Sequence, residues 1–188
     1  MKDTRKFEVL PQSYGYSSFI DDEEIGKELI KAIKDEIIPY HTNVFANRTG
    51  WHLEEKSDFK KITNILESIL KQMVGEFYNH QQDRFGENTP NPKIDEMWGI
   101  VYKDGDFARK HCHYPCLWSG VFYIKTDKAG GNIVFPNIQK EITPKEGLVL
   151  IFPGSTHHYV ERMIGDGERI VLAFNAGKEA SISFKGGY

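Results

Sequence analysis

The residues best suited to do chemistry in this chain are histidines. Seven occur, and four of them form two tight pairs in the second half: His111-Cys112-His113, and His157-His158. On a strand, residues i and i+2 share a face, so His111 and His113 project together while Cys112 points away. The second pair follows the apolar run Leu148–Phe152 and the turn Pro153-Gly154. One imidazole from that later segment would complete a three-ligand face. Such a face leaves coordination positions open, as redox iron chemistry requires. Two other readings compete. The histidines are ordinary strand residues, or Cys112 or Cys116 joins them at a zinc site. Parity turns Cys112 away, Cys116 reaches the site only if the Tyr114-Pro115 turn bends it back, and structural zinc takes four protein ligands.

Arg169 opens the run Arg-Ile-Val-Leu-Ala-Phe-Asn175, which is otherwise apolar up to Asn175. A guanidinium on a buried strand needs an anion, because burying it alone is too costly. Its planar fork grips a carboxylate with two hydrogen bonds. The partner is either a protein carboxylate such as Glu161 or, beside a metal face, a carboxylate-bearing cosubstrate.

The elements that must hold these residues fall into two groups. Ile25, Leu29, Ile30, Ile33 and Ile37 follow helical spacing after Asp21 and Glu24, which suit a capping box, and Pro39 should stop that helix. Phe59, Ile62, Leu66, Ile69, Met73 and Phe77, widened by Ile65, Leu70 and Val74, mark a second helix with Ser57 as its expected cap. Both helices are expected to cover one face of a sheet. Residues 80–95 are polar, contain Pro90 and Pro92, and read as a loop. Beyond Met97 the pattern turns to short strands, expected near 97–103, 107–113, 117–125, 132–135, 148–152, 158–163, 168–175 and 180–184. Gly, Asp and Pro turns separate most of them. Eight short strands indicate a sandwich or barrel, of which the jelly roll is one form. The expectation is a single α+β domain over 1–188, helical to about 95 with a β core at about 97–184. The aromatics Trp118, Phe122, Phe135 and Phe152 line a pocket or fill the core.

With 188 residues and 39% hydrophobic content, the chain is the size of one domain. Its net charge of −3 lacks the basic footprint of a general nucleic-acid binder. No apolar run reaches the roughly 20 residues that span a bilayer. The segment MKDTRKFEVL has no apolar stretch, and the two cysteines sit too close together to staple a fold. A cytoplasmic, reduced protein without membrane contact is expected.

The order of these parts resembles the 2-oxoglutarate/iron(II) oxygenases, nearest the prolyl-hydroxylase-like branch. The resemblance rests on Tyr102-Lys-Asp-Gly-Asp-Phe-Ala-Arg-Lys-His111-Cys-His113, Ser119-Gly-Val-Phe-Tyr123-Ile and Gly131-Asn-Ile-Val-Phe135-Pro. It continues through Pro144-x-x-Gly147-Leu-Val-Leu-Ile-Phe-Pro153, His158-x-Val160 and Arg169, covering about residues 97–176. It implies a double-stranded β-helix (jelly-roll, cupin-like) with supporting N-terminal helices. It also implies an Fe(II)- and 2-oxoglutarate-dependent dioxygenase that uses O2 and releases succinate and CO2. By the same resemblance, His111 and His158 match iron ligands, with His158 preferred to His157. Arg169 matches the residue that grips the far carboxylate of 2-oxoglutarate, Tyr123 an aromatic that hydrogen-bonds it, and Tyr102 a pocket tyrosine.

Two positions depart from the pattern. The carboxylate expected two residues after the first histidine is His113, which as third ligand makes a face of three neutral imidazoles. Val171 stands where a serine often assists the arginine. The substrate, a small molecule or a peptide side chain, is not legible. The alternatives are a three-histidine cupin-type dioxygenase that does not use 2-oxoglutarate, and a non-enzymatic jelly-roll binding module.

Overall fold

The structure is a computed structural model, described here over residues 6–10, 13–38, 42–79, 92–126 and 131–177. Strands β1 (Lys6–Leu10) and β2 (Ser13–Phe19) pair antiparallel and lead into helix α1 (Glu23–Asp35). Three short strands follow, β3 (Ile37–Ile38), β4 (Val44–Phe45) and β5 (Asn47–Thr49), before helix α2 (Lys60–Asn79). The β-rich half contributes β6 (Ile94–Tyr102), β7 (Phe107–His111), β8 (Trp118–Lys125), β9 (Ile133–Phe135), β10 (Lys140–Ile142), β11 (Leu148–Pro153), β12 (His158–Val160) and β13 (Arg169–Ala176). The larger sheet runs β1-β2-β11-β8-β13-β6-β5-β3 and the smaller β10-β9-β12-β7-β4. The pairings within both are antiparallel, as in a double-stranded β-helix.

The two helices stand where the periodicity puts them, with small corrections. Asp22, not Asp21, caps α1, its Oδ1 accepting from Ile25 N at 3.0 Å. Ile37 leaves the helical stripe and pairs with Thr49 in β3, so α1 ends before Pro39, which lies outside the described residues. Ser57 is not the cap of α2 but sits in a 3₁₀ turn, Ser57–Phe59, that runs directly into it. The first third is not purely helical, because β2 to β5 add edges to both sheets. β10 is likewise beyond the expected set, and the expected strand at 180–184 lies outside the described residues. So do residues 80–91 of the expected loop, whose end at 94–95 belongs to β6.

Alternation along the central strands explains why they read as unbroken apolar runs: both faces are buried. Phe122 and Ile124 of β8, Val149 and Ile151 of β11, and Ile170, Leu172 and Phe174 of β13 face the helices. There they meet Ile25, Leu29 and Ile33 of α1 and Ile62, Leu66, Leu70 and Met73 of α2. Each such fully buried aliphatic side chain contributes about 1.5–3 kcal/mol. The opposite residues, Trp98, Ile100 and Tyr102, Val121 and Tyr123, Leu150 and Phe152, and Val171, face the smaller sheet. This second layer is the one that contains a site. Phe122 therefore belongs to the helix-side core, whereas Phe135 and Phe152 lie between the sheets.

Close packing on the helix side depends on two missing side chains, at Gly99 against Ile33 and, more tightly, at Gly120. A Cβ on Gly120 would lie 2.2 Å from Cζ of Phe174, a residue with no exposed surface. Gly120→Ala should lower the midpoint of urea unfolding by the equivalent of about 1–3 kcal/mol without changing the m-value.

Candidate metal centre

The site is built from an irregularity in the smaller sheet. His158 of β12 lies directly opposite His111 of β7, and the next registered pair is Val160 with Ala108. Two residues on β12 thus span three on β7, a β-bulge. Ala108 faces the inter-sheet core. On a regular strand His111, three residues further on, would face outward with Phe107 and Arg109. The extra residue turns it inward, the re-aiming that bulges perform beside functional sites. β7 ends at His111, so His113 does not share a regular strand with it, contrary to the simple i, i+2 reading. Instead a turn holds His113: its N–H donates to Gly154 O at 2.7 Å, and its carbonyl accepts from Cys116 N at 2.9 Å. A Cβ on Gly154 would lie 2.1 Å from Cys116 O, so only glycine lets these two turns close on each other.

The three imidazoles converge. Ring centroids are 4.4 Å apart for His111–His158, 5.0 Å for His111–His113 and 5.2 Å for His113–His158. Their candidate ligand nitrogens all lie within 4.8 Å of one another. His157 is outside this group, as strand parity requires, and so are Cys112 and Cys116, which are free thiols. Two of the rings are oriented by backbone: His111 Nδ1 lies 2.6 Å from Arg109 O and His158 Nδ1 3.0 Å from Thr156 O. A carbonyl only accepts, so Nδ1 carries the proton and Nε2 presents its lone pair. Phe152 packs edge-on against His158 at 4.8 Å and Phe135 lies at 5.9 Å. Trp98 flanks His113 at 5.8 Å. These backbone orienters and Trp98 are invisible to pattern reading, since no motif marks a carbonyl two residues before a histidine.

The same cavity is lined by Arg169, Tyr102 and Tyr123. Arg169 is 1% exposed and its Nε has no hydrogen-bond partner. Glu161 does not pair with it and instead accepts from Asn132 N. Tyr102 lies opposite Arg169 in the β6–β13 ladder, with its ring 5.8 Å from the guanidinium carbon. Tyr123 faces Val171 across the β8–β13 ladder. Burial pushes both phenols well above the usual tyrosine range, so they stay neutral and keep O–H groups to donate. A buried cation with an unused donor, flanked by two phenols and opposite three neutral imidazoles, fits a metal-chelating dicarboxylate.

A family model described as "Putative 2OG-Fe(II) oxygenase" matches residues 136–175. Among curated proteins, no sequence matches. Solved structures do. The viral collagen prolyl hydroxylase of Paramecium bursaria Chlorella virus-1, in complex with 2-oxoglutarate, superposes with a TM-score of 0.60 at 21% identity, covering 90% of this chain and 98% of that one. A prolyl-4-hydroxylase of Pseudomonas putida gives 0.60 at 14% identity, over 94% and 93%. HygX of Streptomyces hygroscopicus, with nickel and 2-oxoglutarate bound, gives 0.57 at 9% identity, over 86% and 82%. The chain has the double-stranded β-helix fold of the 2-oxoglutarate/iron(II) oxygenases. The resemblance read from the sequence therefore holds for the fold, and the matched segment runs from β10 through β12 and all but the last residue of β13.

Burial also sets how the site responds to acid. It holds His113 down to about 4 and His158 down to about 3, and lowers His111 as well, with neighbouring imidazoles adding to the effect. In the unfolded chain these rings protonate near 6.5. Below that pH the unfolded state binds protons that the folded state refuses, so stability falls as pH falls. Metal-free protein should lose stability between about pH 6.5 and 4, seen as a falling urea midpoint, and His158→Leu should flatten that slope. A midpoint equally pH-dependent in both proteins would show that the imidazoles are not buried neutral.

Proposed function

We propose that the chain is a 2-oxoglutarate- and iron(II)-dependent dioxygenase in which His111, His113 and His158 hold the metal. Arg169 grips the far carboxylate of 2-oxoglutarate, with Tyr123 and Tyr102 as hydrogen-bond donors beside it. Iron(II) with 2-oxoglutarate and O2 supplies the oxidation of a C–H bond to an alcohol, with succinate and CO2 as the other products. The chain's own part is positioning. The Arg109 and Thr156 carbonyls fix two imidazoles with Nε2 toward the metal. Phe152 and Trp98 wall the cavity, with Phe135 packed behind Phe152, and keep water from it.

One observation carries this reading: the buried, incompletely partnered guanidinium of Arg169 shares a cavity with the three-imidazole face. A three-histidine dioxygenase that does not use 2-oxoglutarate explains His113 but leaves that cation without an anion. A binding module leaves three converging imidazoles, two of them oriented by backbone carbonyls, without a ligand. The substrate is a small molecule or a peptide side chain. Prolyl hydroxylases and HygX, solved also with hygromycin B bound, share the fold and span that range. A cytoplasmic setting, with Cys112 and Cys116 reduced, belongs to the same reading. Among the described residues no helix is long and apolar enough to cross a membrane.

Anaerobic titration of the iron(II)-loaded protein with 2-oxoglutarate should produce a saturable visible charge-transfer band. Arg169→Ala should weaken that binding by about 10- to 100-fold, the worth of hydrogen bonds to a charged group, while iron affinity changes little. Iron binding without any band would instead favour the three-histidine dioxygenase.

Position 113 has its own test. His113→Asp restores a carboxylate, lowers the net charge of the loaded site by one and should tighten iron(II) binding in the absence of 2-oxoglutarate. Unchanged iron affinity in that variant would show that residue 113 is not a ligand.

A further inference from the structure

A second group of metal-ligating side chains lies on the turn before α2, apart from the histidine face. His52, with a left-handed backbone (φ 70°), precedes a 3₁₀ turn over Leu53–Glu55, and the Glu55 N–H donates to its carbonyl at 3.3 Å, which closes the turn. Leu53, 1% exposed, anchors the turn in the helix-side core. Between them stands Glu54, only 8% exposed although it is a carboxylate. Its Oε1 lies 2.9 Å from His52 Nδ1, and its Oε2 is buried with no hydrogen-bond partner. The ligand atoms of His52, Glu54 and Glu55 all lie within 4.8 Å of one another. A buried carboxylate oxygen without a donor is a group whose partner is missing.

We propose that His52, Glu54 and Glu55 bind a divalent d-block cation, independently of the three-histidine centre. One imidazole and two carboxylates suit Zn2+, Co2+, Ni2+ or Mn2+ rather than an organic cation, which has no use for an imidazole lone pair. The ion replaces the hydrogen bond between His52 and Glu54 with shared coordination and gives the buried Oε2 of Glu54 a partner. It also braces the rim of the catalytic cavity. Trp51, adjoining His52 and 45% exposed, packs edge-on against Trp98 at 4.6 Å, and Trp98 borders His113 at 5.8 Å. Fixing the turn therefore fixes the aromatic wall next to that ligand.

The test is Zn2+ stoichiometry on the metal-stripped full chain by equilibrium titration. Wild type should bind two equivalents, and His111→Ala/His158→Ala should keep one. Adding His52→Ala or Glu55→Gln to that background should remove the remaining equivalent. Both of those side chains are exposed, so neither change threatens the fold. Glu54→Gln in the same background should abolish the rise in melting temperature that Zn2+ otherwise produces. The proposal is overturned if His111→Ala/His158→Ala, unfolding cooperatively as the wild type does, binds no Zn2+, or if the wild-type stoichiometry of two survives both His52→Ala and Glu55→Gln in an otherwise unchanged chain. Loss of the first equivalent alone bears on the catalytic reading and leaves this site standing.

Discussion

The inter-sheet site depends on one strand pairing, that of β12 with β7. It places His158 opposite His111, and the extra residue in β7 turns His111 toward the core instead of the solvent. Without the bulge, the pleat would put Ala108 and His111 on opposite faces, and His111 would leave the cavity. The neighbouring pairings supply the frame. β9 flanks β12 on its other side and β4 flanks the start of β7, so both histidine strands are paired on two sides over part of their length. The carbonyls of Arg109 and Thr156 then lie two residues before their respective histidines and fix the tautomer as well as the direction.

Charge is the second constraint, and it acts on the whole cavity. None of the three converging side chains carries a negative charge, and burial keeps all three imidazoles neutral. Arg169 adds a positive charge whose own pKa is depressed by burial, the sign of a cation held out of water. Tyr102 and Tyr123, neutral at any ordinary pH, cannot balance it. A divalent metal would raise the positive charge further. The cavity therefore calls for an anion on electrostatic grounds alone. In the proposed function, 2-oxoglutarate would supply that anion, to a metal held by the imidazoles and to the guanidinium of Arg169. Geometry agrees, since β13 carries Arg169 on the inner face in register with Tyr102, while Ala173, further along that face, is small enough to leave space beside the histidines.

Much of this was legible in the sequence, for identifiable reasons. Helical periodicity located α1 and α2 because each buries a single stripe. The central strands read as apolar runs because the helices cover one face and the smaller sheet the other. Arg169 stood out because a charge in such a run needs an explanation, and Glu161 was excluded only once its carboxylate was seen accepting from Asn132. The short strands β3, β4 and β5 were not legible. Two- and three-residue strands have no period of their own and exist because a longer neighbour offers an edge. β2 was missed because Ser13–Phe19, SYGYSSF, lacks the β-branched residues that mark a strand, and it is held by β11 rather than by its own propensity. The bulge was illegible for a different reason: it is a property of two strands together, and the sequence of β7 alone suggests only regular alternation.

The departure from the oxygenase pattern falls where the fold tolerates it best. His111 and His158 are ladder residues, so changing either disturbs a strand as well as the converging imidazoles. His113 lies beyond the end of β7, positioned by main-chain bonds to Gly154 and Cys116 that do not depend on its side chain. The contact between Gly154 and the Cys116 carbonyl sets where the Cα of residue 113 sits, whichever side chain it carries. A carboxylate and an imidazole therefore start from the same backbone. What differs is reach and charge: an imidazole is longer and neutral, and it packs against Trp98 as an aspartate would not. An exchange at this position alters the electronics of the centre while leaving its scaffold intact, which explains how a third imidazole can stand here without any change in the surrounding sheet.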